Sequence, residues 1–309
     1  MTFVSWPHSC FTIRLIDLHY SPSFHFLKRA FLTILFFGPI AVNSAVANCI
    51  GDPSAVVVRS VYIVPQLAPT QLYAAWAPVL ERVGKSAKTC FDLQIPASIH
   101  AFEKAVLSGK ADFAFMNPYH LVMAHRTQGY DPLLADGKQM LDGIIVVRAD
   151  SPIASIAELK NQKVAFPSPN AFGSSLLLRS VFAKAHTPIN PIYVRSHGNV
   201  YRAVILGQAA AGGGVNATYL RERLEVREHL RILYVSPSFR PHPFAVHPRV
   251  PHALNTAVID GFMKLKLDPS SVALLEGIQM PDPVAVSYKQ DYQALENLGL
   301  DKFVVHDAN

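Results

Sequence analysis

Val164-Ala-Phe-Pro-Ser-Pro-Asn-Ala-Phe-Gly-Ser-Ser-Leu176 reads as a strand, a tight turn and the first turn of a helix. Val164–Phe166 is short, apolar and β-branched, as a buried strand is. Pro167 and Pro169 end it. A helix is expected over Ser174–Ala185. The first N–H groups of a helix lack intrahelical partners and stand at the positive end of its dipole, so such a turn favours an anion. Ser174 and Ser175 add hydroxyl donors, and Gly173 lets a ligand approach the backbone. A serine N-cap with no ligand would use the same residues.

Outward from this stretch, strand and helix patterns alternate. Strands are expected over Ala55–Val64, Phe91–Ile95, Asp112–Met116, Gly143–Arg148, Ile192–Val194, Ala211–Val215 and Arg231–Val235. Helices are expected over Thr70–Val83, Ile99–Leu107, Asn117–Arg126, Asn199–Leu206 and Thr218–Glu228, with a capped turn at Ser155–Leu159. On the first of these helices Leu72, Ala75, Trp76, Val79 and Leu80 share one face. Such alternation predicts an α/β fold of βαβ units with parallel sheets. The last ~60 residues read as mainly helical.

Of the 309 residues, 50% are hydrophobic and 16% are charged, a composition that excludes disorder. Lys28 and Arg29 precede the apolar run Ala30–Phe37, and Ala45-Val46-Ala47 follows, the three parts of a secretion signal cleaved near Ala47. The run is too short for a membrane span, which needs about 20 residues. The formal charge of +6 falls to about +4 once Arg14, Lys28, Arg29 and Asp17 leave with the signal. No basic run reads as a nucleic-acid face, so no nucleic-acid partner is expected. Cys49 and Cys90 remain in a compartment that permits disulfides, and the sequence leaves their pairing open.

Three further segments could line a crevice at the carboxyl ends of strands. In Asp112-Phe-Ala-Phe-Met-Asn-Pro-Tyr-His120, a helix capped by Asn117-Pro118 follows a strand, which places Tyr119 and His120 toward the crevice; a capped helix with a core tyrosine is the plainer reading. In Arg195-Ser-His-Gly-Asn-Val-Tyr-Arg-Ala-Val204, His197 sits between strand and helix and could donate to an anionic oxygen. Ala209-Ala-Ala-Gly-Gly-Gly-Val-Asn-Ala-Thr-Tyr219 permits close backbone approach but lacks the spacing of a dinucleotide site. There is no G-x-S-x-G, H-E-x-x-H or Walker A motif, and His242, His247 and His252 are scattered through a proline-rich loop. No enzyme activity, cofactor or metal is expected.

Taken together, these segments resemble the phosphate/phosphite/phosphonate-binding proteins of ABC importers, the PhnD-like family, over about residues 55 to 290. The resemblance rests on Val64-Pro-Gln66 with Trp76-x-Pro78, Gly109-Lys-Ala-Asp-Phe113 with Asn117-Pro-Tyr119, Gly143–Val147 with Asp150-Ser-Pro152, Val164–Pro167, Ser196-His197, Gly207 and Ala217-Thr-Tyr219. It implies a type II periplasmic-binding-protein fold, with two α/β lobes, a two-strand hinge and a ligand cleft. The lobes are expected at 54–145 plus 241–309 and at 146–240, after a signal at 1–47. It implies a monomeric periplasmic protein that closes on a small oxyanion and delivers it to an ABC permease in the inner membrane; a ligand sensor for a separate partner, or an enzyme on the same fold, is the alternative. The ligand residues carried over are Ser174, Ser175, His197 and Tyr119 with Tyr62 or Gln66. Two departures leave the ligand's identity open. The hydroxyl-rich turn of phosphonate binders is here Ala171-Phe172-Gly173, and the expected acid before Ala-Thr-Tyr is replaced by Val215 and Asn216, of which Asn216 faces the ligand position without a charge.

Overall fold

The computed structural model describes residues 49–305; the secretion signal expected at residues 1–47 lies outside the described residues. In chain order the strands are β1 (Ile50–Gly51), β2 (Val58–Ile63), β3 (Cys90–Gln94), β4 (Phe113–Phe115), β5 (Asp131–Asp136), β6 (Gly143–Arg148), β7 (Lys163–Phe166), β8 (Asn190–Tyr193), β9 (Ala211–Val215), β10 (Leu230–Val235), β11 (Phe244–Val246) and β12 (Pro283–Ala285). The helices are α1 (Pro69–Ala87), α2 (Ile99–Leu107), α3 (Pro118–Gln128), α4 (Leu177–Lys184), α5 (His197–Ile205), α6 (Asn216–Leu220), α7 (Leu224–Arg227), α8 (His252–Leu267) and α9 (Val272–Gly277). None of the described helices is long and apolar enough to cross a membrane.

Two sheets result. The first has the order β1-β3-β2-β4-β11-β5-β12 and the second β10-β6-β9-β7-β8. Both are mixed, which corrects the expectation of parallel sheets. β2 runs parallel to β3 and β4, and β7 parallel to β8 and β9, as βαβ units require. The strands that carry the chain between sheets run against their neighbours: β6 against β9 and β10, and β11 against β4 and β5. β5, β11 and β12 were not legible as strands, being short or opened by Asp131-Pro132 and Pro283.

The larger core lies between the first sheet and α1 and α8. Trp76 of α1 packs on Phe115 at 4.9 Å and on Phe244 at 5.9 Å, and Phe244 also stacks on Phe113 at 5.6 Å. These rings are almost wholly buried, and each fully buried aromatic stabilises the fold by about 1.5–3 kcal/mol. Cys49 and Cys90 are disulfide-bonded, pinning β1 to β3 across a sequence separation of 41 residues. Closing a loop of that length restrains the unfolded chain by about 4 kcal/mol on the chain-entropy account.

Two segments cross between the sheets and pair with each other. Leu141 and Phe239 exchange N–H···O bonds of 2.8 and 3.0 Å. Ser236 donates its N–H to the Gly143 carbonyl at 2.8 Å and accepts the Gly143 N–H on its hydroxyl at 2.9 Å. A third link is the C-terminal segment. Val305 exchanges hydrogen bonds with the Asn170 side chain, both at 2.9 Å. Asn170 also donates to Glu103 of α2 at 3.0 Å, and Arg179 of α4 donates to the Phe303 carbonyl at 2.6 Å. The half of the molecule built on the second sheet is thereby tied to α2 and to the chain's last described turn as well as to the crossing segments.

Gly212, Gly213 and Gly214 of β9 are required by space, not by backbone angle. Alternate residues of a strand face opposite sides. A Cβ on Gly212 would lie 2.5 Å from Val200 and one on Gly214 2.6 Å from the Tyr201 hydroxyl, both on α5. On the other face, a Cβ on Gly213 would lie 2.2 Å from the Ser174 carbonyl oxygen. The strand is bare so that α5 and a π-helical turn at Phe172–Leu176, which runs into α4, can press against it from both sides. Gly213→Ala is expected to push that turn away, lowering stability by about 1–3 kcal/mol as overpacking does. Chemical denaturation of the variant against the parent checks this; equal midpoints would show that the turn is not held by this contact.

Candidate functional site

Between the two sheets lies a cavity of about 100 Å³. Single waters need only about 10–15 Å³ on this measure, so several small heavy atoms fit. Its walls come from both halves. Val64, Gln66, Phe115 and Asn117 line it from the ends of β2 and β4, and Ala171–Ser174, Ser196, His197 and Thr218 from the second half. Pro241 and His242 enter from the returning crossing segment. The cavity therefore sits at the carboxyl ends of parallel strands, where helices begin.

Three helix starts there differ in how they are finished. At α3 the Asn117 side chain accepts the His120 N–H at 2.8 Å, and at α5 the Ser196 hydroxyl accepts the Asn199 N–H at 3.2 Å. The π-helical turn before α4 has no side-chain cap. Its first bonded donors are Ser175 and Leu176, both to the Ala171 carbonyl at 2.9 and 3.0 Å. The N–H groups of Phe172, Gly173 and Ser174 precede them and, by the geometry of a helix start, are left for a ligand. These residues line the cavity.

Histidines complete the wall. His197 Nδ1 is buried without a hydrogen-bond partner. Burial pushes the His197 pKa down to about 4. Burial, then the neighbouring His120 and His197, push His242 down to about 3. Both rings are neutral at pH 7, and each can offer one N–H. His242 is held against Phe115, ring centres 5.5 Å apart. Asp136 also lines the cavity, but its carboxylate accepts the N–H groups of Gln139 and Asp282 at 2.8 and 2.9 Å and is committed to the turn.

Of the residues expected from sequence, Gln66, Ser174 and His197 meet in this cavity. Ser175 is fully buried beside them, its hydroxyl unpartnered, and is not in the wall. Tyr119 is buried on the far side of α3, where Asp301 and Arg126 are its charged neighbours and burial raises its pKa. His120 is likewise turned inward: its Nε2 meets Glu103 at 2.9 Å and Asn117 at 3.2 Å. At the start of α3 only the capping Asn117 reaches the cavity wall. Tyr62 alternates with the core residues Val61 and Ile63, and so faces the other side of the sheet, near Asp92. Asn216 lines a separate surface hollow with Asp142 and Leu220. Sequence reasoning missed His242, Thr218, Arg195, Arg221, Gln139 and Gln279. Arg195 and Thr218 stood in segments already singled out, whereas Gln279 reaches the cavity from a distant left-handed turn, φ +61°, with no local signal.

The chain matches the family described as ABC transporter, phosphonate, periplasmic substrate-binding protein over residues 61–292. The protein belongs to that family. Among solved structures it is similar to a binding protein component of an ABC phosphonate transporter from Pseudomonas aeruginosa, at 17% identity and a TM-score of 0.69, covering 82% of this chain and 89% of that one. It is also similar to PhnD1 from Prochlorococcus marinus in complex with methylphosphonate, at 15% identity and a TM-score of 0.69, covering 78% and 97%. A third is a Xanthomonas citri protein bound to chloride ion, at 16% identity and a TM-score of 0.64, covering 80% and 98%. At these identities the structures establish the fold, that of type II periplasmic binding proteins. The binding protein is the solute-binding component of an ABC importer and takes a small ligand. Its family is one of exported transporter components that work with membrane permeases, not a family of enzymes.

The histidines give this binding protein a signed pH response. Their folded-state pKa values lie below the ordinary 6.5, so the unfolded chain takes up protons first as pH falls. The stability they contribute is full above about pH 6.5 and is lost as pH falls toward 4 and then 3. The ligand-free protein is expected to lose melting temperature over that window. The His197→Gln/His242→Gln double variant should lose less, because carboxylates elsewhere act on both proteins equally. Parallel curves would show that these rings are not held neutral by the fold.

Proposed function

We propose that the binding protein holds a small phosphorus oxyanion in the cavity between its sheets, by closure of the two halves about the crossing segments at 137–142 and 236–243. The uncapped turn at Phe172–Ser174, facing the cavity beside the unpartnered His197, is the observation that carries this reading. An oxyanion accepts hydrogen bonds from the backbone N–H groups, the Ser174 hydroxyl and one N–H each from His197 and His242, and the helix dipole favours its charge. Gln66 and Asn117 approach from the opposite wall, so ligand contacts from both halves favour the closed arrangement. We further propose that the protein acts as a monomer, cleaved near Ala47, and releases its ligand unchanged to the permease.

The hinge reading agrees with the pairing of Leu141 and Phe239. Two short antiparallel segments can bend by small dihedral changes while each sheet stays intact. The bond from Asn170 to Glu103 must open if the halves swing apart at that end.

Melting temperature is to be followed against phosphate, phosphite, methylphosphonate and sulfate. A ligand at 100 times its Kd should add about 2.7 kcal/mol to stability. His197→Ala and Ser174→Ala should each weaken binding by about 1–3 kcal/mol, the range for a hydrogen bond to a charged group. No shift with any of the four anions would overturn the oxyanion reading. Unchanged affinity in both variants would move the site elsewhere.

A further inference from the structure

Beside the inner cavity lies a second chamber of about 520 Å³. The two share Gln66, Ser196, His197 and Thr218 and so adjoin along one wall. The outer chamber adds Leu67, Ala68 and Gln71 from the start of α1, and Gly198 and Glu222 from the second half.

The two chambers share their formal positive charges and differ in their other polar groups. Around the inner space the donors are backbone N–H groups, hydroxyls, amides and neutral histidines, and its one carboxylate, Asp136, is fully engaged. The formal positive charges are Arg195 and Arg221, which face both spaces. Neither guanidinium has a hydrogen-bond or ion-pair partner among the described residues. Elsewhere in the described chain Arg82, Arg126, Arg148, Arg240 and Arg249 are paired with acids, while Arg227, which lines neither chamber, also keeps a buried Nε without a partner. Glu222, the one carboxylate in the outer wall, forms an ion pair with neither: its Oε1 lies 3.4 Å from where a Cβ on Gly198 would stand, in the first turn of α5. Arg195 holds a left-handed backbone, φ +75°, which glycine or asparagine would adopt with less strain. Strained positions of this kind gather at ligand sites.

We propose that the solute is a phosphorus oxyanion with a short substituent that ends in a second anionic group, received by Arg195 and Arg221 in the outer chamber. This rests on the oxyanion reading of the inner cavity. The oxyanion is bound by neutral donors within, and the substituent passes His197 and Thr218 into the larger space. Its terminal carboxylate or phosphoryl group meets the two unpaired guanidiniums, whose planar donors suit either.

Calorimetric titration of the purified protein tests this with five probes. Methylphosphonate fills the inner cavity alone. Ethylphosphonate adds a neutral extension and 2-aminoethylphosphonate a cationic one. 3-Phosphonopropionate ends in a carboxylate and methylenediphosphonate in a phosphoryl group, and these two separate the possible sources of the second charge. At least one of the two doubly anionic probes is expected to bind about tenfold tighter than ethylphosphonate, the scale of one charge-assisted hydrogen bond. Arg195→Gln and Arg221→Gln should each cost that probe about fivefold more affinity than they cost ethylphosphonate. If both doubly anionic probes bind no tighter than ethylphosphonate, or 2-aminoethylphosphonate binds best, the proposal is overturned while the oxyanion reading stands. The same holds if both variants preserve the full preference. If none of the five binds, both readings fall together.

Discussion

A strand without side chains is the constraint on which the second half of this protein depends. Gly212 and Gly214 admit α5 on one face of β9, and Gly213 admits the carbonyl of Ser174 on the other. At Gly213 backbone therefore packs on backbone, and at Gly212 and Gly214 the side chains of Val200 and Tyr201 press directly on the strand. Two helix starts, at Phe172 and at His197, are drawn to within reach of one small cavity. A π-helical turn in place of a regular first turn follows from the same crowding, since Gly173 is itself pressed between Leu141 and Val215, where its own Cβ would lie 2.5 and 3.2 Å away.

On the proposed reading, this packing also explains how the cavity would hold an anion largely through neutral donors. A helix start that is not capped by its own side chains leaves N–H groups that cost free energy if buried unbonded. A ligand that accepts from them relieves that cost, and neutral histidines add donors without bringing a permanent charge into the cleft. The arrangement favours a solute that carries its own negative charge and releases it when the halves part, as a transport component must. In the proposed extension of the site, the exposed arginines would act at the mouth, where water screens them less strongly than on an open surface.

The buried polar network of Glu103, His120, Asn117 and Asn170 sits beneath the cavity floor and reaches across the halves to Val305. Its members bond to one another, with only His120 Nδ1 left without a partner, so it specifies a unique closed contact in place of adding bulk stability. The aromatic core around Trp76 supplies the rigidity against which this contact registers.

Much was legible in the sequence because it is local. Strand and helix periodicity, the glycine run and the turn at Pro167–Gly173 are short-range patterns, and they determine an α/β chain with a helix start suited to an anion. The sequence also supplied Gln66, Ser174 and His197. Only the tertiary structure decided which way each side chain turns. Tyr62 and Tyr119 face away from the cleft because a single step along a strand or helix reverses or rotates the face, and burial among distant neighbours fixes that step. His242, Gln279 and the arginine pair reach the site from segments far apart in the chain, joined by the crossing segments and by turns whose sequences carry no ligand signal. The antiparallel strands that return the chain between sheets were hidden for the same reason: their partners, not their own residues, make them strands.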